Sequence, residues 1–128
     1  MDISLKRIYD PVDPEDGLRI LVDRLWPRGV AKEDAGLAVW AKNVAPSDEL
    51  RKWFHRDTSQ WREFKKRYHA ELAANPTHVA DLAKLISLNK VTLLYGSKDE
   101  KKNHAIVLRD YLVKQIEAME KETVSPRK

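Results

Sequence analysis

Two short apolar runs, each ending in a polar turn, constrain the fold of this chain more than any other feature. The first, Ile-Leu-Val at residues 20–22, leads into the heptapeptide Asp-Arg-Leu-Trp-Pro-Arg-Gly at 23–29. The second, at residues 91–95, is followed by Gly-Ser-Lys-Asp at 96–99 and by a helical pattern that opens at Asn103. Apolar runs of this kind are typical of strands buried on both faces of a parallel sheet. Open α/β sheets bind ligands at the polar turns after such strands.

The rest of the chain alternates predicted strands with predicted helices. This alternation predicts a small single α/β domain over residues 1–121, with a mainly parallel sheet of about four strands flanked by helices. Residues 122–128 are polar, and we predict a disordered tail there. The predicted strands lie at 3–9, 18–25, 37–41 and 91–95, and the predicted helices begin near residues 48, 57, 76 and 103.

Composition limits the class of protein and its chemistry. With 128 residues, 42% of them hydrophobic and 34% charged, the chain suits one soluble globular domain. It lacks the apolar run of about 18–20 residues that spans a bilayer. Because it contains no cysteine, disulfides, thiolate nucleophiles and Cys-ligated zinc are excluded. The first residues show no basic-then-apolar signal pattern, so we expect a cytoplasmic location and no membrane partner.

Positive charge is concentrated in one segment. The net charge is +4, but residues 51–69 alone carry seven basic and two acidic side chains. Such a block can attract nucleic acid or another polyanion, and the alternative is a solvated helix face. The segment therefore offers a second possible interaction site, separate from the strand ends.

Arg24 and Arg28 are the candidate ligand-binding cations. Their guanidinium groups present paired donors that match phosphate or carboxylate oxygens. The structural alternative is that one of them pairs with Asp23 or Asp99 and closes the turn. Trp26 stands between them, either as a wall of the same crevice or as packing over the sheet edge.

Asp23 and His104 are the candidate proton-handling, and hence catalytic, residues. Asp23 could act as a general base, serve as a metal ligand or simply orient Arg24 or Arg28. His104 falls in the first turn of a predicted helix, where the macrodipole favours a neutral ring with one hydrogen bond. Asn103 is first a predicted N-cap and second a ligand contact. Lys98 and Asp99 share its loop and are candidate ligand contacts as well.

Cofactor and metal motifs are missing from the sequence. Neither a Walker pattern nor a dinucleotide fingerprint is present, so we predict no cofactor. No His, Asp and Glu set has a recognisable ligand spacing, so we predict no metal site.

The motif at 21–29 resembles that of the YeaO-like proteins, a bacterial and archaeal domain-of-unknown-function family. Segments 45–47, 50–54 and 92–95 are similar to further motifs of that family, and the resemblance spans about residues 5 to 113. It implies a small cytosolic α/β domain without an established catalytic set.

A broader group of relatives shares part of this pattern. Its members resemble this chain at an Asp and a Pro after one strand and at a His after another, which match Asp23, Pro27 and His104. These relatives tend to have cysteines where this chain has Tyr95 and Asn103. The resemblance therefore gives no support for thiol or metal chemistry here.

Two functional hypotheses follow from the sequence. The first is a binding domain or small enzyme for a phosphate- or carboxylate-bearing small ligand, held at the strand ends by arginines. The second is a nucleic-acid or protein interaction module that uses residues 51–69. A scaffold protein without chemistry is a third possibility, and neither the reaction nor the oligomeric state can be read from the sequence.

Overall fold

The computed structural model describes residues 2–124, and within them the chain forms one four-stranded sheet. All strands are parallel, in the order β1-β4-β2-β3, so that β2 and β4 are central neighbours. This confirms the predicted α/β class. The strands are β1 (Ile3–Arg7), β2 (Leu18–Leu21), β3 (Val39–Trp40) and β4 (Val91–Tyr95). The helices are α1 (Lys32–Ala35), α2 (Asp48–Arg56), α3 (Trp61–Ala73), α4 (Pro76–Ser87) and α5 (His104–Val124), with single 3-10 turns at Pro14–Asp16 and Lys42–Val44.

β2 ends four residues earlier than predicted, at Leu21. The chain makes one further backbone bond to β4, from the amide of Val22 to the carbonyl oxygen of Leu94 at 3.0 Å. Beyond that point the side chain of Asp23, and not the backbone, bonds the amide of Gly96. The polar turn therefore begins inside the predicted strand.

The four longer helices cover one face of the sheet. Because side chains alternate along a strand, Ile20 and Val22 point to the same face as Leu93 and Tyr95 on the neighbouring strand. All four are at most 5% exposed, and they belong to one apolar cluster with α2, α3, α4 and α5. Burial of this cluster supplies the main hydrophobic stabilisation of the fold.

Loops and the short α1 cover the other face. Leu21 and Leu94 form a smaller buried cluster there with Ile8 and Ala35. Trp26 packs against this cluster, and its ring meets that of Trp40 edge-on at a centroid distance of 5.3 Å. The predicted flanking helices thus lie mainly on one side, and the segment after β2 closes the other.

A buried charge network holds the start of β2. Asp16, only 7% exposed, accepts hydrogen bonds from Lys6 at 3.0 Å and from Arg19 at 2.6 Å. Burial disfavours the charged form of Asp16, but the bonds from Lys6, the Asp13 amide and Arg19 outweigh it and lower the pKa of this carboxyl. Each charge therefore has a partner, as burial requires.

The described helices include none that is long and apolar enough to cross a membrane. α5 continues through Val124, three residues beyond the predicted domain end at 121. The remainder of the predicted disordered tail, residues 125–128, lies outside the described residues.

Candidate functional site

A cavity of about 330 Å³ opens where β2 and β4 end. Asp23 and Arg24 reach it from the turn after β2, and Gly96 and His104 reach it from the segment after β4. The two polar turns therefore lie side by side, as expected for neighbouring parallel strands. The wall also includes apolar side chains from three segments: Leu25, Trp26, Pro27, Pro46, Phe54 and Phe64.

Asp23 links the two strand ends directly. Its Oδ2 accepts a hydrogen bond from the amide of Gly96 at 2.9 Å. A Cβ atom at position 96 would lie only 2.9 Å from that same oxygen, so glycine permits the close approach. The other oxygen, Oδ1, lies 2.9 Å from Nε2 of His104. The carboxylate is thus held in one orientation by the second strand end.

His104 begins α5 and turns its ring back toward β2. Its Nε2 hydrogen-bonds the carbonyl oxygen of Val22 at 3.1 Å. Both neighbours of Nε2, this carbonyl and the Asp23 carboxylate, are acceptors, so Nε2 carries a proton. Nε2 therefore lies between the carbonyl oxygen of Val22 at 3.1 Å and Oδ1 of Asp23 at 2.9 Å, and the ring and the carboxylate are direct partners.

Arg24 lines the cavity and also holds the segment before α2. Its Nε donates to the carbonyl oxygen of Pro46 at 2.9 Å, and its Nη2 donates to that of Ala45 at 3.1 Å. These acceptors are neutral, and no carboxylate of the described residues forms an ion pair with this guanidinium. The anticipated pairing of Arg24 with Asp23 or Asp99 is therefore not observed, and its charge is available to the cavity.

Arg28 and Lys98 are not brought to the cavity. Both side chains are exposed, and neither contributes to its wall. The backbone of Arg28 has a structural contact, since its carbonyl oxygen accepts a bond from Tyr9 Oη at 3.0 Å. Trp26 does line the cavity, and its Nε1 donates to the carbonyl oxygen of Val30 at 2.7 Å, which fixes the ring.

Asp99 and Asn103 shape the turn before α5. Oδ1 of Asp99 accepts from the amides of Lys102 and Lys101, both at 2.9 Å, and these bonds lower the pKa of its carboxyl. Asn103 is 3% exposed and caps the helix, because its Oδ1 accepts from the amide of Ile106 at 3.1 Å. The N-cap prediction for Asn103 is confirmed, and Asp99 alone of the two lines the cavity.

Arg51 of α2 is a cavity residue that the sequence analysis did not single out. One terminal nitrogen lies 3.2 Å from Asp48, but its Nε is buried without a hydrogen-bond partner. Phe54 and His55, three and four residues further along, line the cavity beside it. That spacing places all three on one helix face, and it is the signal that could have separated Arg51 from the surrounding basic block.

Other cations of the 51–69 block are engaged locally. Arg67 pairs with Glu63 at 2.9 Å and lies over the Trp53 ring at 4.2 Å from its centroid. Lys65 lies over the Trp61 ring at 5.7 Å. These contacts are those of a solvated helix face, and a nucleic-acid or protein interaction through this block stays a prediction.

The site contains no cluster suited to a metal. Among residues 2–124, no three His, Asp or Glu side chains come together in a way that could hold an ion. What the cavity does bring together is cationic and anionic side chains beside an apolar wall. Such an arrangement can bind a small polar molecule that has an apolar part.

A family model described as the inactive DUF488-N3 subclade matches residues 2–127 of this sequence. The chain belongs to this family. The resemblance to YeaO-like proteins is thereby confirmed as well, since the Escherichia coli K12 protein called Uncharacterized protein YeaO is 47% identical over 112 residues. That alignment covers 88% of this chain and 97% of the relative.

Mycobacterial relatives align over nearly the same region. Uncharacterized protein Rv3073c of Mycobacterium tuberculosis H37Rv is 40% identical over 110 residues, which are 86% of this chain and 92% of the relative. Uncharacterized protein Mb3100c of Mycobacterium bovis matches with the same identity and the same coverage. No solved structure matches the chain significantly.

Proposed function

We propose that this protein binds a small carboxylate- or phosphate-bearing ligand in the strand-end cavity, with Arg51 and Arg24 as its cationic contacts. The observation that carries the proposal is that Arg24 and Arg51 both line the cavity, and that the hydrogen bonds of Arg24 go to neutral carbonyl oxygens and not to a carboxylate of the described residues. An anion in the cavity would balance the charge of Arg24, which no carboxylate of the described residues pairs with.

The charge balance of the cavity supports an anionic ligand. Three basic side chains, Arg24, Arg51 and Lys102, line it together with two carboxylates, Asp23 and Asp99. Nε and Nη2 of Arg24 donate to neutral carbonyl oxygens, so these bonds do not balance its positive charge. A cavity of about 330 Å³ is at the small end of the usual range for ligand pockets, which is about 300–1,000 Å³.

Binding without turnover agrees best with the family's description as inactive. The chain offers no cysteine nucleophile, and one oxygen of Asp23 is occupied by the Gly96 amide. We therefore assign Asp23 and His104 to shaping the cavity, and a catalytic role for them stays a prediction. Arg28 and Lys98 are not part of the proposed contacts.

The proposal is tested by calorimetric titration of inorganic phosphate, phenyl phosphate and a series of small carboxylates into the wild-type protein and two variants. Arg51→Gln removes the charge in the cavity wall. Arg28→Gln is the matched control, because it removes an exposed arginine from the turn after β2. We expect saturable binding of at least one anion, weakened about tenfold or more by Arg51→Gln and unchanged by Arg28→Gln. Absence of saturable binding, or equal effects of the two variants, would contradict the proposal.

A further inference from the structure

Two of the large apolar side chains that the fold leaves exposed lie at the strand-end cavity. The exposed large apolar side chains of the described residues are Tyr9 at 47%, Val12 at 53%, Leu25 at 54% and Leu88 at 73%. Single apolar residues on a protein surface are ordinary, and Val12 and Leu88 do not line this cavity. Tyr9 and Leu25 both line it, so their exposed apolar surface borders a concave site.

Tyr9 is held in place although it is exposed. Its Oη donates to the carbonyl oxygen of Arg28 at 3.0 Å, and the guanidinium carbon of Arg7 lies over its ring at 4.9 Å from the centroid. A side chain that is already fixed by such contacts loses little further freedom when a ligand packs against it. The ring of Tyr9 is therefore a preformed apolar surface for a ligand.

The cationic groups of the cavity lie deeper than these two apolar side chains. Arg24 is half-buried, and the side chain of Arg51 is 27% exposed, about half the exposure of Tyr9 or Leu25. An anion at the arginines therefore has the exposed apolar surface on its outward side. An inorganic anion would leave Tyr9 and Leu25 in water, whereas an anion that carries an apolar group would cover them, and removal of apolar surface from water favours binding.

We infer that the ligand is an anion that carries an apolar group about the size of an aromatic ring, such as an aryl carboxylate or an aryl phosphate. Its anionic group contacts Arg24 and Arg51, and its apolar group packs on Tyr9 and Leu25 at the mouth of the cavity. This inference rests on the proposed anion-binding function and specifies the ligand class of the same cavity.

Matched pairs of probes separate the inference from the function on which it rests. Calorimetric titration of the wild-type protein compares phenyl phosphate with methyl phosphate, and 3-phenylpropionate with propionate. In at least one pair we expect the compound with the ring to bind about tenfold or more tightly than its partner. If the two members of each pair bind equally, the inference fails while anion binding stands. If none of the four compounds binds saturably, both fail.

Leu25→Ser tests the apolar contact at the mouth, and Leu88→Ser is its matched control, because it removes an exposed leucine away from the cavity. We expect Leu25→Ser to weaken the binding of the ring-bearing compound about three- to tenfold and to leave that of its partner unchanged. Leu88→Ser should change neither. Tyr9→Ser is a second test, with Val12→Ser as its control, and the same outcome is expected. Unchanged binding of the ring-bearing compound in both Leu25→Ser and Tyr9→Ser, or equal weakening of both members of the pair, would overturn the inference.

Discussion

Replacement of Gly96 by alanine tests whether the Asp23 carboxylate joins the two strand ends. The backbone of Gly96 does not have a positive φ, so alanine is compatible with its conformation. The added Cβ would lie 2.9 Å from Oδ2 of Asp23, closer than real Cβ atoms approach such an oxygen. We therefore expect the carboxylate to be displaced and its hydrogen bond to the residue-96 amide to be lost.

The expected size of the effect follows from two opposing contributions. Loss of a hydrogen bond to a charged group costs about 1.5–3 kcal/mol. Replacement of glycine by alanine returns about 0.4–1 kcal/mol, because it reduces the entropy of the unfolded chain. The free energy of unfolding should therefore fall by about 1–2 kcal/mol, which corresponds to a lower Tm by about 3–10 °C for a domain of this size.

A double-mutant cycle isolates the contact between the two residues. Urea unfolding gives the effect of Gly96→Ala in the wild-type protein and in the Asp23→Ala background. Without the carboxylate there is nothing to displace, so Gly96→Ala should be neutral or stabilise by up to about 1 kcal/mol in that background. If Gly96→Ala destabilises the protein equally in both backgrounds, contact with the Asp23 carboxylate is not the reason that position 96 requires glycine.

Three further substitutions probe the scaffold, each followed by urea unfolding. Gly17→Ala should destabilise by about 2 kcal/mol or more, because Gly17 has a φ of +65° and a Cβ there would collide with the backbone carbonyl of Lys90; wild-type stability would contradict this. Asp16→Asn should cost about 3–5 kcal/mol at pH 7. The pKa of Asp16 is lowered from 3.8, so its charged form stabilises the folded protein above that pH and loses this effect as the pH falls below 3.8. The destabilisation by Asp16→Asn should therefore shrink below pH 3.8, and a destabilisation that does not vary with pH would contradict the role of the charged carboxylate. Glu71→Ala should lower the free energy of unfolding by about 1–3 kcal/mol, because Glu71 accepts hydrogen bonds from both the amide and the hydroxyl of Ser47, the N-cap of α2. An unchanged urea midpoint would show that these two bonds do not stabilise the start of α2.

The parallel sheet, and the common edge at which its two central strands end, could be predicted because short segments of the sequence indicate each of them. The run at 91–95 is apolar throughout and is bounded by polar residues and glycine, so β4 has the predicted limits. Asp23 and His104 each follow such a run. Parallel strands end at the same edge of a sheet, which predicts that both residues lie at that edge.

The composition of the cavity wall could not be predicted in the same way. Arg24 hydrogen-bonds the backbone carbonyls of Ala45 and Pro46, and any residue type presents such carbonyls. The sequence therefore gave no sign that the start of α2 lies against the strand ends. The sequence pattern therefore groups Arg51 with the surface charge of its neighbours, and it favours Arg28 because that guanidinium lies in the same turn after β2 as Arg24.

The positions that carry cysteines in the broader group of relatives have become part of the packed interior here. Tyr95 is 4% exposed and Asn103 is 3% exposed, and Asn103 caps α5 and bonds the turn before it. Asp23 and His104, which match other residues of those relatives, still line the cavity. Asn103→Cys should lower the free energy of unfolding by about 0.5–2 kcal/mol in urea unfolding, because the Ile106 amide at the start of α5 loses its acceptor, and an unchanged midpoint would contradict this role of the cap.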